Sequence, residues 1–375
     1  LMSNIECKII DPILLSGSQD FFRTAIGGYW GIVSSSIGQE LVFEETGHGP
    51  EPFGNITSTL NTYINDIQAG RITPIDTDVV VPNFKVAISQ LKPLSRSFYK
   101  LIEIYHLLHL MDDIESPIKS FHLAEGPGGF IEAILRYRQF NNKDVYISNT
   151  LYPSDKSIPS WNKLNRYKDE RKIDNINLLY CDLYNYKNLI KYISYFKDKK
   201  AYLVTADGGF DYSGDFNNQE YSSSRIIYSE IVCAFSIQEL GGNFVIKIFD
   251  TFNIFTLKCI YLLHKFYKTI SLYKPLTSRV ANSEKYIICK GFKGIDYQLL
   301  IKFLNSINNF PRENPDISTI KLPNEFIYQF DNYNKLFVEN QISFIDKTLE
   351  MIKNKDSIDF EKIVEEQVVK AKEWC

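Results

Sequence analysis

One stretch constrains the fold more than any other. Phe121-His122-Leu123-Ala124 is mostly apolar, Glu125-Gly126-Pro127-Gly128-Gly129-Phe130 is rich in glycine, and Ile131-Glu132-Ala133-Ile134-Leu135 is built from helix formers. That order predicts a strand, a tight turn and a helix N-terminus. Glycine lets the backbone approach a ligand closely, and a helix N-terminus offers unpaired N–H groups. The stretch is not G-x-G-x-x-G, and no Lys-Ser/Thr follows it. It therefore fits neither the dinucleotide fingerprint nor the phosphate loop. Alone, such a turn joins many ordinary strands to helices. Its company downstream gives it meaning.

After it, strand and helix patterns alternate. Val145–Asn149, Asn177–Asp182, Ala201–Ala206, Asn243–Ile248 and Lys285–Cys289 read as strands. Lys187–Phe196, Ser222–Leu240 and Phe255–Phe266 read as helices, the second stopped by Gly241-Gly242. Alternation with apolar strands predicts an α/β fold, a doubly wound and mostly parallel sheet. Ligands in such sheets bind beyond the carboxyl ends of the strands. Glu125, Asn149, Asp182 and Asp207 all fall at such ends, so acids and glycine turn should converge on one crevice. These side chains suit ribose hydroxyls and an adenine amino group.

Before this core, residues 1–90 carry turn-rich stretches and one short helical pattern, Ser58–Ile67. They are expected to form an N-terminal extension that packs on the core or on a partner. Asn55-Ile56-Thr57 is a glycosylation sequon, but the N-terminal residues lack the basic-then-apolar pattern of a secretory signal. Leu101, Ile104, Tyr105 and Leu108 recur at helical spacing, with Lys100 on the border of that face. The alternating core is expected over 91–295. Beyond it, Leu336, Phe337, Ile342, Ile345 and Leu349, then Ile363, Val364 and Val368, predict a mainly helical C-terminal region over 296–375 that covers the core or binds a partner.

Composition excludes several classes. With 44% hydrophobic residues in 375, a full core can be buried, and no apolar run is long enough to span a bilayer. The six cysteines are scattered with no C-x-x-C pair, which argues against zinc and against a disulfide framework, and suits a reducing compartment. The five histidines are spread along the chain, so no metal is expected. Net charge is −3, so any nucleic-acid contact needs a local basic patch. Lys163-x-x-Arg166-x-Lys168-x-x-Arg171-Lys172, interleaved with Trp161 and Tyr167, is the candidate, although a charge run is usually a solvated face.

One lysine breaks the pattern. Lys247 interrupts the apolar strand Phe244-Val245-Ile246, where an unpaired ammonium would be costly. It must be paired or neutralised, with Asp207 and Glu284 as candidate partners. A structural ion pair is the plain reading. Two lysines and two acids mapping to one crevice favour catalysis.

Together, Ser95-Arg96-x-Phe98-Tyr99-Lys100, Gly126-Pro127-Gly128-Gly129-Phe130, Ala206-Asp207-Gly208, Lys247 and Asn282-Ser283-Glu284 resemble the FtsJ-like AdoMet-dependent ribose 2′-O-methyltransferases. His122-Leu123-Ala124-Glu125, Asn149-Thr150-Leu151 and Lys274-Pro275-x-Thr277-Ser278 are similar to the Adrift-type branch that acts on messenger RNA caps. The likeness also extends to such proteins of large cytoplasmic DNA viruses, implying a cytoplasmic setting. Many relatives carry Asp where this chain has His122; here the acid is displaced to Glu125.

The resemblance implies a Rossmann-like methyltransferase fold and a catalytic tetrad of Lys100, Asp207, Lys247 and Glu284. Lys247 would be the general base, its pKa depressed by Lys100, with Glu284 orienting the lysines and Asp207 holding Lys247 and facing the sulfonium. It also implies S-adenosyl-L-methionine as cofactor, with the methionine end near Glu125, Gly126, Pro127, Gly128, Gly129 and Phe130, and the adenosine near Asn149 and Asp182. RNA, in particular the capped 5′ end of mRNA, is the implied substrate. A catalytically silent binding scaffold is the alternative, disfavoured by retention of all four tetrad residue types. An NAD-dependent oxidoreductase is disfavoured by the missing fingerprint.

Overall fold

The computed structural model describes residues 93–353, apart from 112–113, 115, 155–157, 210–217, 280–281, 309, 311–316 and 318, together with four earlier strands. Those strands form two antiparallel hairpins, β1 (Ile32–Ser35) with β2 (Gly38–Glu44) and β3 (Asp78–Val81) with β4 (Phe84–Ala87). The expected helix at Ser58–Ile67, the sequon and the stripe at Ile363–Val368 lie outside the described residues. The chain divides into two compact units, one of Leu1–Lys92, Leu272–Glu284 and Lys335–Cys375, the other of Pro93–Ser271 and Lys285–Asn334.

The second unit carries the alternating core. Its elements are α1 (Ser97–Leu107), β5 (Lys119–Leu123), α2 (Gly129–Tyr137), β6 (Val145–Thr150), α3 (Asn162–Arg171), β7 (Ile176–Tyr180) and α4 (Tyr186–Tyr195). They continue with β8 (Ala201–Ala206), α5 (Gln219–Ile237), β9 (Gln238–Ile248), α6 (Ile254–Phe266), the start of β10 (Tyr267–Pro275), β11 (Lys285–Phe292) and α7 (Tyr297–Asn308). The start of helix α8 (Asn324–Lys353) follows; the remainder of β10 and of α8, from Leu272 and from Lys335, belongs to the first unit. The strands stand in the order β10, β11, β9, β8, β5, β6, β7. The β9–β8, β8–β5, β5–β6 and β6–β7 pairs are parallel and β11 runs antiparallel to β9, so the expected doubly wound, mostly parallel sheet is present. Successive crossovers run outward from β5 to β7, then return to β8 on the other side of β5. The topological switch point, where such sheets bind ligands, therefore lies between β5 and β8.

Local chemistry explains the elements. The stripe Leu101, Ile104, Tyr105 and Leu108 of α1 is buried, as its spacing predicts. The central strands are apolar because helices cover both faces: Phe121, Leu123, Leu203, Val204, Phe244, Val245 and Ile246 are inaccessible to solvent. Helices α4 and α6 start at asparagines whose side chains accept the N–H two residues on, from Lys187 at 3.1 Å and Phe255 at 2.9 Å.

Two expectations need correction. Helix α5 ends at Ile237, not Leu240, because Gln238 pairs with Ala201 in the β8–β9 ladder and its side chain bridges the Asn243 carbonyl and the Tyr267 hydroxyl. Tyr267–Pro275, read as no element at all, is strand β10, so Lys285–Cys289 opens the last strand of the sheet but is not the only one after α6.

Candidate active site

The switch point sets two loops side by side, Ala124–Gly128 after β5 and Asp207–Gly209 after β8. In the β8–β9 register Ala206 stands opposite Ile246, so Asp207 and Lys247 fall level at the strand ends. Lys247 Nζ lies 3.1 Å from Asp207 Oδ1 and donates to the Asp207 carbonyl at 2.8 Å. Tyr286, opposite Lys247 in β11, donates its hydroxyl to the same Asp207 oxygen at 3.2 Å. A Cβ on Gly209 would lie 3.2 Å from Lys247 Nζ, so the glycine leaves the amine its space. The lysine side chain is 12% exposed and the aspartate 18%, a pair that is mostly dry yet reachable.

The glycine turn is held by Glu125. Its Oε1 accepts the N–H groups of Phe130 and Ile131 in the first turn of α2, and its carbonyl accepts from Gly128 at 2.8 Å. This carboxyl thus caps a helix that begins four residues later, occupying donors that would otherwise be orphaned. Its Oε2 is buried without a hydrogen-bond partner. Burial pushes the Glu125 carboxyl well above the usual carboxylate range, and the Asp207 charge adds to this, against the two backbone N–H groups and Lys247. Gly128 has φ of +115° and sits with its Cα against Leu164, where a Cβ would come within 2.9 Å. Ala124 adopts φ of +50°, a rare conformation for alanine that the Asn149 side chain holds by accepting its N–H at 3.1 Å. The Gly126–Pro127 peptide is cis.

The remaining expected residues are placed as follows. Lys100 is half-buried near the start of α1, which lies directly on the turn: a Cβ on Gly129 would meet the Ser95 and Ser97 hydroxyls at 2.1 and 2.2 Å. Asn149 is buried and braces three strand ends, since its amide also donates to the Cys181 carbonyl at 3.2 Å. Asp182 is exposed after β7, accepts from the Tyr184 N–H at 2.8 Å, and lines a cavity of about 550 Å³ with Leu151, Tyr152, Tyr180, Asn188 and Tyr192. Glu284 belongs to the other unit, where it accepts from Ser278 at 2.8 Å and its carbonyl accepts from Lys274 at 3.0 Å. The structure thus puts Asp207 and Lys247 in direct contact, and sets the helix bearing Lys100 against the glycine turn.

His122 stands in β5, three residues before Glu125. It is buried, bonded to Ser120 at 2.9 Å and Thr205 at 2.8 Å, and burial lowers its pKa to about 3. It is a neutral core residue that ties β5 to β8. In α3 the rings of Trp161 and Tyr167 are buried, so they are core rather than stacking platforms, and Arg171 packs over Tyr167 at 4.1 Å. Lys163 and Arg166 are exposed.

Sequence reasoning passed over Glu230. It lies fully buried in the middle of helix α5, and its Oε1 accepts the Gly208 N–H at 3.1 Å. Burial pushes this carboxyl well above its usual range; Lys247 opposes that and Asp207 adds to it. The signal was available: an acid inside Ile226-Ile227-Tyr228-Ser229-Glu230-Ile231-Val232 is as anomalous as Lys247 in its strand.

The residues present fit the expected AdoMet. A buried carboxyl oxygen without a partner beside a glycine turn, and a largely apolar cavity edged by Asp182, match a cationic sulfonium and an aromatic base with an amino group. Among the described residues no group of three or more His, Cys, Asp or Glu is placed to hold a metal ion, and no helix is long and apolar enough to cross a membrane.

Comparison with known proteins places the site in a family. The model of the FtsJ-like methyltransferases matches residues 93–292. Cap-specific mRNA (nucleoside-2′-O-)-methyltransferase 1A of Caenorhabditis briggsae is 30% identical over 260 residues, covering 64% of this chain and 29% of that protein. Cap-specific mRNA (nucleoside-2′-O-)-methyltransferase 1 of Mus musculus is 34% identical over 194 residues, 48% of this chain and 23% of that protein. The inactive cap-specific methyltransferase 1B of C. briggsae is 28% identical over 260 residues, 64% of this chain and 30% of that protein. The chain spans less than a third of the length of these relatives. Family match, sheet topology and the acids at the switch point agree: the chain belongs to the FtsJ-like methyltransferase family, with AdoMet as its cofactor.

Proposed function

We propose that this chain methylates a ribose 2′-hydroxyl of RNA, in the 5′ cap region of mRNA, with Lys247 as general base. The observation that carries the reading is the Lys247–Asp207 contact at the carboxyl ends of β9 and β8. AdoMet supplies an electrophilic methyl group and needs no metal. A ribose hydroxyl is a poor nucleophile at neutral pH, so a base must remove its proton. A lysine serves only as the free amine. The mostly dry setting of Lys247 disfavours a charge, Asp207 holds Nζ in place, and the part assigned to Lys100 rests on the family resemblance. Glu284's role in orienting the lysines rests on the family resemblance. Cap specificity is supported by the names of the relatives, and Lys163 and Arg166 are the proposed RNA contacts. We assign the activity to a cytoplasm, where its scattered cysteines stay reduced.

A second reading, a silent methyltransferase fold that binds RNA or protein, is favoured by the likeness to an inactive relative. Methyl transfer from labelled AdoMet to capped and uncapped short RNAs, with the modified nucleotide mapped, separates the two. Label at a cap-proximal 2′-O supports the enzyme. Binding of AdoMet and RNA without transfer supports the scaffold.

A further inference from the structure

A single peptide group lies between Lys247 and Glu230. The carbonyl of Asp207 accepts from Lys247 Nζ at 2.8 Å, and the N–H of Gly208, the other half of that peptide, donates to Glu230 Oε1 at 3.1 Å. The carboxyl is pressed against the glycine: a Cβ on Gly208 would come within 2.3 Å of Oε1. Its second oxygen is buried without a partner. One carboxyl oxygen is therefore unmet in the buried middle of α5, beside Ile226, Ile227, Ile231 and Val232. Such a carboxyl costs stability relative to an apolar residue of similar size.

We infer that Glu230 is a positioning residue for Lys247, acting through the Asp207–Gly208 peptide. The inference rests on the reading of Lys247 as the base. Hydrogen bonds in series polarise one another in a low-dielectric interior. An acceptor on the N–H makes the carbonyl a stronger acceptor, which fixes Nζ and favours its ammonium form. The carboxyl also fixes the orientation of the peptide plane, and with it the height at which Nζ sits over the strand ends. The charged and titratable groups facing Glu230 are Lys247 from β9, Asp207 at the end of β8, and Cys233 from its own helix. Weakening the Asp207 carbonyl as an acceptor loosens a contact that favours the ammonium, so loss of Glu230 should lower the pKa of Lys247.

The test compares Glu230→Met, which keeps the volume and removes the acceptor, with Glu230→Gln, which keeps an acceptor oxygen. Lys247 is titrated directly by NMR of protein labelled at lysine side chains, its signal identified by its loss in Lys247→Arg. Glu230→Met should lower the Lys247 midpoint by roughly half a unit or more, and Glu230→Gln by less. In Glu230→Met the melting temperature should hold or rise and AdoMet affinity stay close to wild type, while kcat for methyl transfer drops about tenfold because Nζ is no longer held in place, and the acidic limb of its pH profile moves down with the midpoint. An unmoved midpoint in Glu230→Met, whatever its melting temperature, overturns the inference. If that variant does not fold, Gly208→Ala takes its place: its Cβ displaces the carboxyl, and an unmoved midpoint there is equally fatal. Methyl transfer surviving in Lys247→Ala would remove the base reading, whereas the NMR shift stands or falls without any turnover.

Discussion

At Lys247, two ideas about one side chain make opposite predictions. As the base, Lys247→Ala should reduce methyl transfer ~10²-fold or more while AdoMet still binds, since the glycine turn and the other strand ends hold the cofactor. Lys247→Arg should fail as well, because a guanidinium stays protonated. If Lys247 only pairs with Asp207, arginine would keep the pair and most of the activity. Initial rates beside calorimetric AdoMet affinity decide between them. Glu125 yields a prediction in pH. Its folded pKa is raised by burial and then by Asp207, so between the unfolded value of 4.5 and the raised one the folded state binds more protons than the unfolded state. Stability from this group therefore falls as pH rises above about 4.5. Glu125→Gln keeps an acceptor for the α2 N–H groups and removes the ionisation. Its melting temperature should gain on wild type as pH goes from 5 to 8; a difference independent of pH would refute the assignment.

Among the elements, the β5–α2 connection combines unusual backbone with the candidate site. Gly128 precedes α2 in a left-handed conformation with Leu164 of α3 against its Cα. A side chain there meets both a backbone penalty and a packing clash. Gly128→Ala should cost about 1–3 kcal/mol of stability in denaturant unfolding and weaken AdoMet binding together. Loss of neither would mean that the loop adapts freely and does not shape the site. The α5–β9 junction shows the same dependence on neighbours: three residues with helical spacing became strand because β8 offered a ladder.

For the whole molecule, a ligand that binds only the folded state stabilises it by mass action. AdoMet at a hundredfold excess over its Kd should add about 2.7 kcal/mol and raise the melting temperature. The same preparation should keep its methyl-transfer rate in EDTA, given that the chemistry asked of Lys247 and Asp207 needs no Lewis acid. Activity lost in EDTA and restored by a divalent ion would contradict the proposed mechanism.

Much of this was legible along the chain. Apolar strands bounded by glycine and acids specify a parallel sheet, because only burial on both faces makes such runs favourable. The alternation then places Glu125, Asp182, Asp207 and Lys247 at strand ends without any coordinates. Lys247 stood out because a charge in an apolar strand demands a partner. Glu230 sends the same signal from a helix, yet its target, the N–H of Gly208, lies 22 residues away and appears only when α5 packs on the sheet. Asn149 read as a cofactor ligand, but which groups its amide meets depends on the register of three strands. The neutrality of His122 likewise follows from its burial in the packed sheet, where the β5–β8 pairing brings Thr205 to its ring. Sequence alone determined which residues reach the strand ends, since that depends on local periodicity. Only the tertiary structure decided which of them touch, because hydrogen bonds and pKa values depend on separations of a few ångströms between segments far apart in the chain.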